Sequence, residues 1–170
     1  MTKKTLVTGA AGFIGFHTVL HLLESGKEVV GIDNMNSYYD VRLKEDRLAI
    51  LREKPNFIFF RISLEEYSEL SEVFEKEEID NVIHLAAQVG VRSPPNEFHR
   101  YVSSNLIGFS NILDLCRVHR IEHLIYASSS SVYGDKSETP FRVQDSSNYP
   151  QSLYAATKRA NELMAHSYSH

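Results

Sequence analysis

One cysteine, Cys116, stands in the 170 residues, so no disulfide can close within the chain. Eight histidines are present. No Cys/His set has metal-ligand spacing, and no metal site is expected. Positive charge is also scarce: Lys and Arg number 18 against 22 Asp and Glu, for a formal net charge of −4, and they are scattered. A general nucleic-acid footprint is thereby excluded. Long apolar runs are missing too. None nears the ~20 residues of a membrane span. Glycines break the apolar stretch of MTKKTLVTGAAGFIG after four residues, so it lacks a signal peptide's core. A reducing cytoplasm is the expected setting.

What is present suits one domain, residues 1–170, with 42% hydrophobic residues to build a core. Short β-branched or aromatic runs alternate with helix-length amphipathic stretches: TLVT then 12–25, EVVGID then 40–53, FIFF then 64–77, NVIHLA then about 97–118, HLIYAS then 151–168. Five βα units in succession predict an α/β fold with a doubly wound parallel sheet, Rossmann-like, its apolar strands buried on both faces. Ser25-Gly26 reads as the end of the first helix, and Ser63-Leu64-Glu65-Glu66 as a capping box opening the third. The stretch from Tyr133 to Gln151 is long for a βα connection, and long loops above strand ends often carry function.

TLVTGAAGFIGFH puts Gly9, Gly12 and Gly15 between the first strand and the first helix. Glycines there let the backbone turn tightly against a pyrophosphate, and the helix N-terminus supplies N–H donors. Phe13 and Ile14, inside the same loop, are placed with the cofactor-binding positions, although apolar residues at such spacing more often belong to a core, as do Phe98 and Phe109. No Gly-Lys-Ser/Thr follows, which excludes a P-loop. Asp33 ends the second strand, 18 residues past Gly15, where a carboxylate accepts the ribose hydroxyls of an adenine dinucleotide. Its charge repels a 2′-phosphate, and Asn34 follows rather than arginine, so NAD is expected over NADP.

T-G-x-x-G-F-x-G with a later Y-x-x-x-K resembles the extended short-chain dehydrogenase/reductase family, which includes nucleotide-sugar epimerases and dehydratases. HLAA (84–87), NLIGFSNIL around Asn105 and SSSSVYG (128–134) extend the likeness over nearly the whole chain. The resemblance implies NAD as cofactor, with Ala86, Ala87 and Asn105 near it. Tyr154 and Lys158 lie four apart on the last helix, hence on one face. A general base for a sugar hydroxyl must work near neutral pH, whereas a free tyrosine has a pKa of about 10. A lysine ammonium and an oxidised nicotinamide both favour the phenolate, so Tyr154 is read as the base and its pKa is expected to fall. The resemblance implies that Lys158 also holds the nicotinamide ribose, and that Ser129 hydrogen-bonds the reacting hydroxyl.

In the 4,6-dehydratases of this family an acid pair follows that Ser/Thr. Here Ser130 and Ser131 stand in those places, which favours epimerisation, and Ser130 is placed among the substrate-binding residues. GIDNMNSYYDVRLKEDRL and AAQVGVRSP look like UDP-glucuronate 4-epimerases, with Arg92 offering a planar fork to a phosphate or carboxylate. The expected partner is therefore a UDP-sugar. The remaining histidines are read as solvated or packing residues.

Two departures stand out. Where family members carry Asp before Ile or Leu to contact adenine, this chain has Ser63-Leu64. Members also continue past the Y-x-x-x-K helix through more strands and a substrate region, which are expected to be missing here. A strand edge left without those strands favours an edge-mediated homodimer or other self-association.

Overall fold

β1 (Lys4–Thr8) lies at the centre of a five-stranded sheet, and the chain winds outwards from it in both directions. The structure, a computed structural model, describes residues 3–90, 98–136, 138–145 and 148–170. From β1 the chain passes through α1 (Phe13–Glu24), β2 (Glu28–Ile32), α2 (Val41–Arg52), β3 (Phe57–Phe60) and α3 (Tyr67–Glu77). It returns to the other side of β1 as β4 (Asn81–His84). There follow α4 (Phe98–Tyr101), a π-helical segment (Val102–Ile107), α5 (Gly108–Val118), β5 (His123–Tyr126), a 3₁₀ turn (Ser130–Tyr133) and α6 (Leu153–Tyr168).

The sheet order is β3-β2-β1-β4-β5, all parallel, with Thr8 opposite Ile32 on one side and His84 on the other. This is the doubly wound arrangement predicted, and the order reverses between β1 and β4. An open α/β sheet has its binding crevice there, above the strand C-termini. Because side chains alternate along a strand, Leu6, Val30 and Val82 join α3 and α5 in one core with Leu70, Phe74, Ile112 and Leu115. Val7 and Val29 face the other way and pack with Phe16, Val19 and Leu51 of α1 and α2.

Three expectations need correction. Burial on both faces holds for β1 and β2, but the marginal strands present apolar side chains outward, with Ile58 42% and Ile125 50% exposed. The capping box does not form: α3 begins at Tyr67, and Ser63 instead closes a turn in which Glu66 N donates to its carbonyl (3.1 Å). Phe98 is 53% exposed rather than core, whereas Phe109 is fully buried. The end of α1 is as read, with Gly26 at φ +75° beyond a Ser25 cap.

Candidate active site

The glycine loop is shaped by close backbone approach. Gly9 has φ +70°, and a Cβ on it would lie 2.9 Å from the amide nitrogen of Ala86. A Cβ on Gly15 would lie 2.0 Å from the Gly9 carbonyl oxygen, and one on Gly12 3.0 Å from the same atom. Only glycine fits Gly9 and Gly15. Thr8, just before, fastens this loop to the one after β4: its hydroxyl oxygen accepts the N–H groups of Leu85 and Ala86, both at 3.2 Å, and lies 2.9 Å from His84 Nδ1.

Between these loops opens a cavity of about 510 Å³. Gly9, Gly12, Phe13, Ile14, Gly15, Asp33, Asn34, Ala86 and Ala87 all line it, so most of the expected cofactor positions are brought together. Phe13 and Ile14 are 67% and 64% exposed, placing them at its rim and outside the core. Asp33 is buried, with Oδ2 accepting Ala11 N–H (3.2 Å) and Oδ1 accepting Met35 N–H (2.8 Å). The same Oδ1 takes an ion pair from Lys44 at 3.1 Å. Asn34 turns its amide towards Ser63 Oγ (3.4 Å) while its Oδ1 accepts Asn36 N–H.

Lys44, Leu43 and Arg47 line the cavity and were missed in the sequence. Their spacing is a signal that could have found them. Asp40 caps α2 by accepting Arg42 N–H, and residues three and four apart from that start share a helix face. Arg47 reaches the loop itself, donating to the Ala11 carbonyl (3.3 Å) and the Tyr39 hydroxyl (3.2 Å).

Asn105 is not among the cavity residues. Its Oδ1 accepts Gln88 N–H (2.8 Å), and its Nδ2 donates to the Gln88 carbonyl and Thr157 Oγ1, both at 3.0 Å. Those bonds tie Asn105, a buried residue, to Gln88, which does line the cavity. Arg92 lies outside the described residues.

Ser129, Tyr154 and Lys158 also sit apart from the cavity lining, beyond the end of β5 and on the first turns of α6. Ser152 caps α6, its hydroxyl accepting Ala155 N–H (3.1 Å), which sets Tyr154 at the helix start. Ser129 caps the 3₁₀ turn by accepting Ser131 N–H (3.2 Å), and Ser130 is exposed beside it. Lys158 is buried and donates to the Ala127 carbonyl (3.0 Å); desolvation lowers its pKa to about 8. The Tyr154 phenol does not follow expectation: burial raises its pKa, with the Ser129 hydroxyl working in the opposite direction and Tyr101 adding to the rise. Among the described residues no group of His, Cys, Asp and Glu could hold a metal ion, and no helix is long and apolar enough to cross a membrane.

A protein-family model described as GDP-mannose 4,6 dehydratase matches residues 6–170. Protein CapI of Staphylococcus aureus is 52% identical over 167 residues, 98% of this chain and 50% of that protein. A probable UDP-glucuronate 4-epimerase of Rhizobium meliloti is 47% identical over 167 residues, 98% of this chain and 49% of that protein. Among solved structures, the UDP-glucuronic acid 4-epimerase of Bacillus cereus in complex with UDP-glucuronic acid and NAD superposes with a TM-score of 0.89 at 37% identity. That match covers 97% of this chain and 52% of the other. The chain thus spans about half the length of the curated relatives it matches.

Proposed function

We propose, since the chain belongs to the NAD-dependent epimerase/dehydratase family, that it forms the cofactor-binding and proton-transfer part, residues 1–170, of a nucleotide-sugar 4-epimerase. The substrate is UDP-glucuronate and the product UDP-galacturonate. The observation that carries this reading is the set above β5 and α6: Ser129 beside the Tyr154 phenol, with serines at 130 and 131 where elimination needs an acid.

NAD fits the cavity because the loop bears no Cβ at Gly9, Gly12 or Gly15, leaving bare backbone to meet a pyrophosphate. Asp33 and Asn34 take the ribose end, Ala86 and Ala87 the opposite wall, and Phe13 and Ile14 the rim. When bound, NAD supplies a hydride acceptor for C4 and a positive charge near the phenol. Tyr154 removes the proton of the C4 hydroxyl, Ser129 orients that hydroxyl, and Lys158 holds a ribose through an ammonium aimed by Ala127. Tyr154 would return the proton to the same oxygen when the hydride taken from C4 is given back to the other face of the 4-keto sugar. Ser130 and Arg92 serve the substrate. Cytoplasmic location and self-association along the β5 edge belong to the same reading.

The test is conversion of UDP-glucuronate in the presence of NAD, with products resolved by anion-exchange chromatography. UDP-galacturonate is expected, and Tyr154→Phe is expected to lower the rate by about 10²-fold or more while NAD affinity is retained. Released CO₂ or a stable 4-keto-6-deoxy sugar would instead make the chain part of a decarboxylase or dehydratase. Bound NAD without conversion would make it a non-catalytic dinucleotide module.

A further inference from the structure

Tyr154, Thr157, Lys158 and Asn161 fall at i, i+3, i+4 and i+7 of α6 and so share one face of it. Two of the four are the proton-transfer pair. The other two, Thr157 and Asn161, are each only 2% exposed, where apolar side chains of similar size would fill the same space with no polar atom to satisfy. Both are hydrogen-bonded to a single residue of the facing π-helical segment. Asn161 Nδ2 donates to the Asn105 carbonyl at 2.6 Å, and Thr157 Oγ1 accepts from Asn105 Nδ2 at 3.0 Å. Thr157 in turn donates to the Tyr154 carbonyl (2.8 Å), so the clasp runs on to the backbone of the residue read as the base.

Apolar packing sets how far apart two elements lie but lets one turn by some degrees against the other, whereas hydrogen bonds weaken steeply once they leave their line. Asn105 is itself anchored on its far side, its amide paired with both the N–H and the carbonyl of Gln88 at the cavity wall. α6 is thus keyed in rotation to a fixed point. Side-chain tips lie about 5–6 Å from a helix axis, so a turn of about 10° carries them about 1 Å. A misplacement of that size can slow a reaction about 10²-fold.

We propose that Asn161 is a positioning residue for the proton-transfer pair: its bond to the Asn105 carbonyl, with the neighbouring one at Thr157, fixes the rotation of α6 and thereby the aim of Tyr154 and Lys158. This rests on the reading of that pair as the place of proton transfer and adds to it what holds the pair in line. Lys158 reports the rotation directly, because its ammonium is buried against the Ala127 carbonyl (3.0 Å) and that burial lowers its pKa to about 8.

NMR titration of the lysine ¹³Cε signals in the wild type, Asn161→Leu and Val19→Ala tests it, with the Lys158 signal assigned by its loss in Lys158→Met. Val19 is fully buried in the core on the other face of the sheet, which holds no residue of α6, so its truncation lowers stability without touching the clasp. Asn161→Leu is expected to raise the Lys158 midpoint by at least about 1 pH unit, as water reaches an ammonium swung from its place. It should also lower kcat for UDP-glucuronate about 10-fold or more while changing the Kd for NAD less than about 3-fold. Val19→Ala should leave the midpoint where it is. A midpoint that Asn161→Leu moves by less than about 0.3 pH unit, or that Val19→Ala moves equally, overturns the proposal. So does an unchanged kcat in Asn161→Leu beside an active wild type. Should Asn161→Leu not fold, Thr157→Val, which removes the second bond of the clasp and keeps its shape, takes its place under the same expectations. A wild type that converts no UDP-glucuronate overturns the epimerase reading, and the Lys158 titration still decides whether Asn161 sets the pair.

Discussion

His84 closes β4 wholly inside the protein, its ring 5.2 Å from that of Phe109 and its Nδ1 at the Thr8 hydroxyl. The Thr8 oxygen accepts two backbone N–H groups, so its own proton goes to Nδ1 and the imidazole is neutral. Burial, with Lys158 as a second cause, lowers the His84 pKa to about 3 from 6.5. Between those values the unfolded chain binds a proton that the native state refuses, so stability falls as pH drops through the window. We predict a contribution of up to about 1.4 kcal/mol per pH unit there. Urea melts of wild type and His84→Gln from pH 3 to 7 check it, since only the wild type should carry this slope; parallel curves would contradict it. From sequence His84 reads only as a solvated or packing residue, because its partner Thr8 lies 76 positions away. The glycines were legible for the opposite reason: their demands are set by the turn they make. The spacing from the Asp40 cap puts Lys44 on one face of α2 with Leu43 and Arg47, but that this face meets Asp33 is settled only by the packing of α2 against the sheet.

At the scale of elements, strand and helix order was readable from apolar runs and their spacing, and FIFF is β3 residue for residue. The stretch read as one helix over 97–118 conceals a π-helical segment, Val102–Ile107. Hydrophobic periodicity does not register one widened turn, although such segments gather at functional sites. Here the Asn105 carbonyl takes an outside donor, Asn161 Nδ2 at 2.6 Å, on the same α6 face as Lys158. Asn105 thus joins α6 to Gln88 at the cavity wall. Asn161→Leu should strand a buried carbonyl and destabilise the protein by about 1–3 kcal/mol. Guanidinium unfolding measures this, and a loss under about 0.5 kcal/mol would show that the bond contributes little. The capping box failed for a related reason: Ser63 sits where β3 leaves the sheet, and its backbone closes a turn before α3 can start.

Over the whole molecule, the reversal of strand order between β1 and β4 brings the glycine loop, Asp33 and Ala86–Ala87 to one cavity. That convergence was readable, since it follows from right-handed βα units and the place of each motif at a strand's end. The spatial relation of Tyr154 and Lys158 to the cavity was not, because it is set by tertiary contacts of α6 with Asn105 through Thr157 and Asn161. The likeness to full-length epimerases extends over about half of their length. Cofactor binding is therefore the most direct question to put to this chain. Calorimetric titration with NAD should give one site of micromolar affinity, abolished in Gly15→Ala, whose Cβ would collide with the Gly9 carbonyl, and kept in Tyr154→Phe. No binding by the wild type, or equal binding by Gly15→Ala, would contradict the assignment of this cavity.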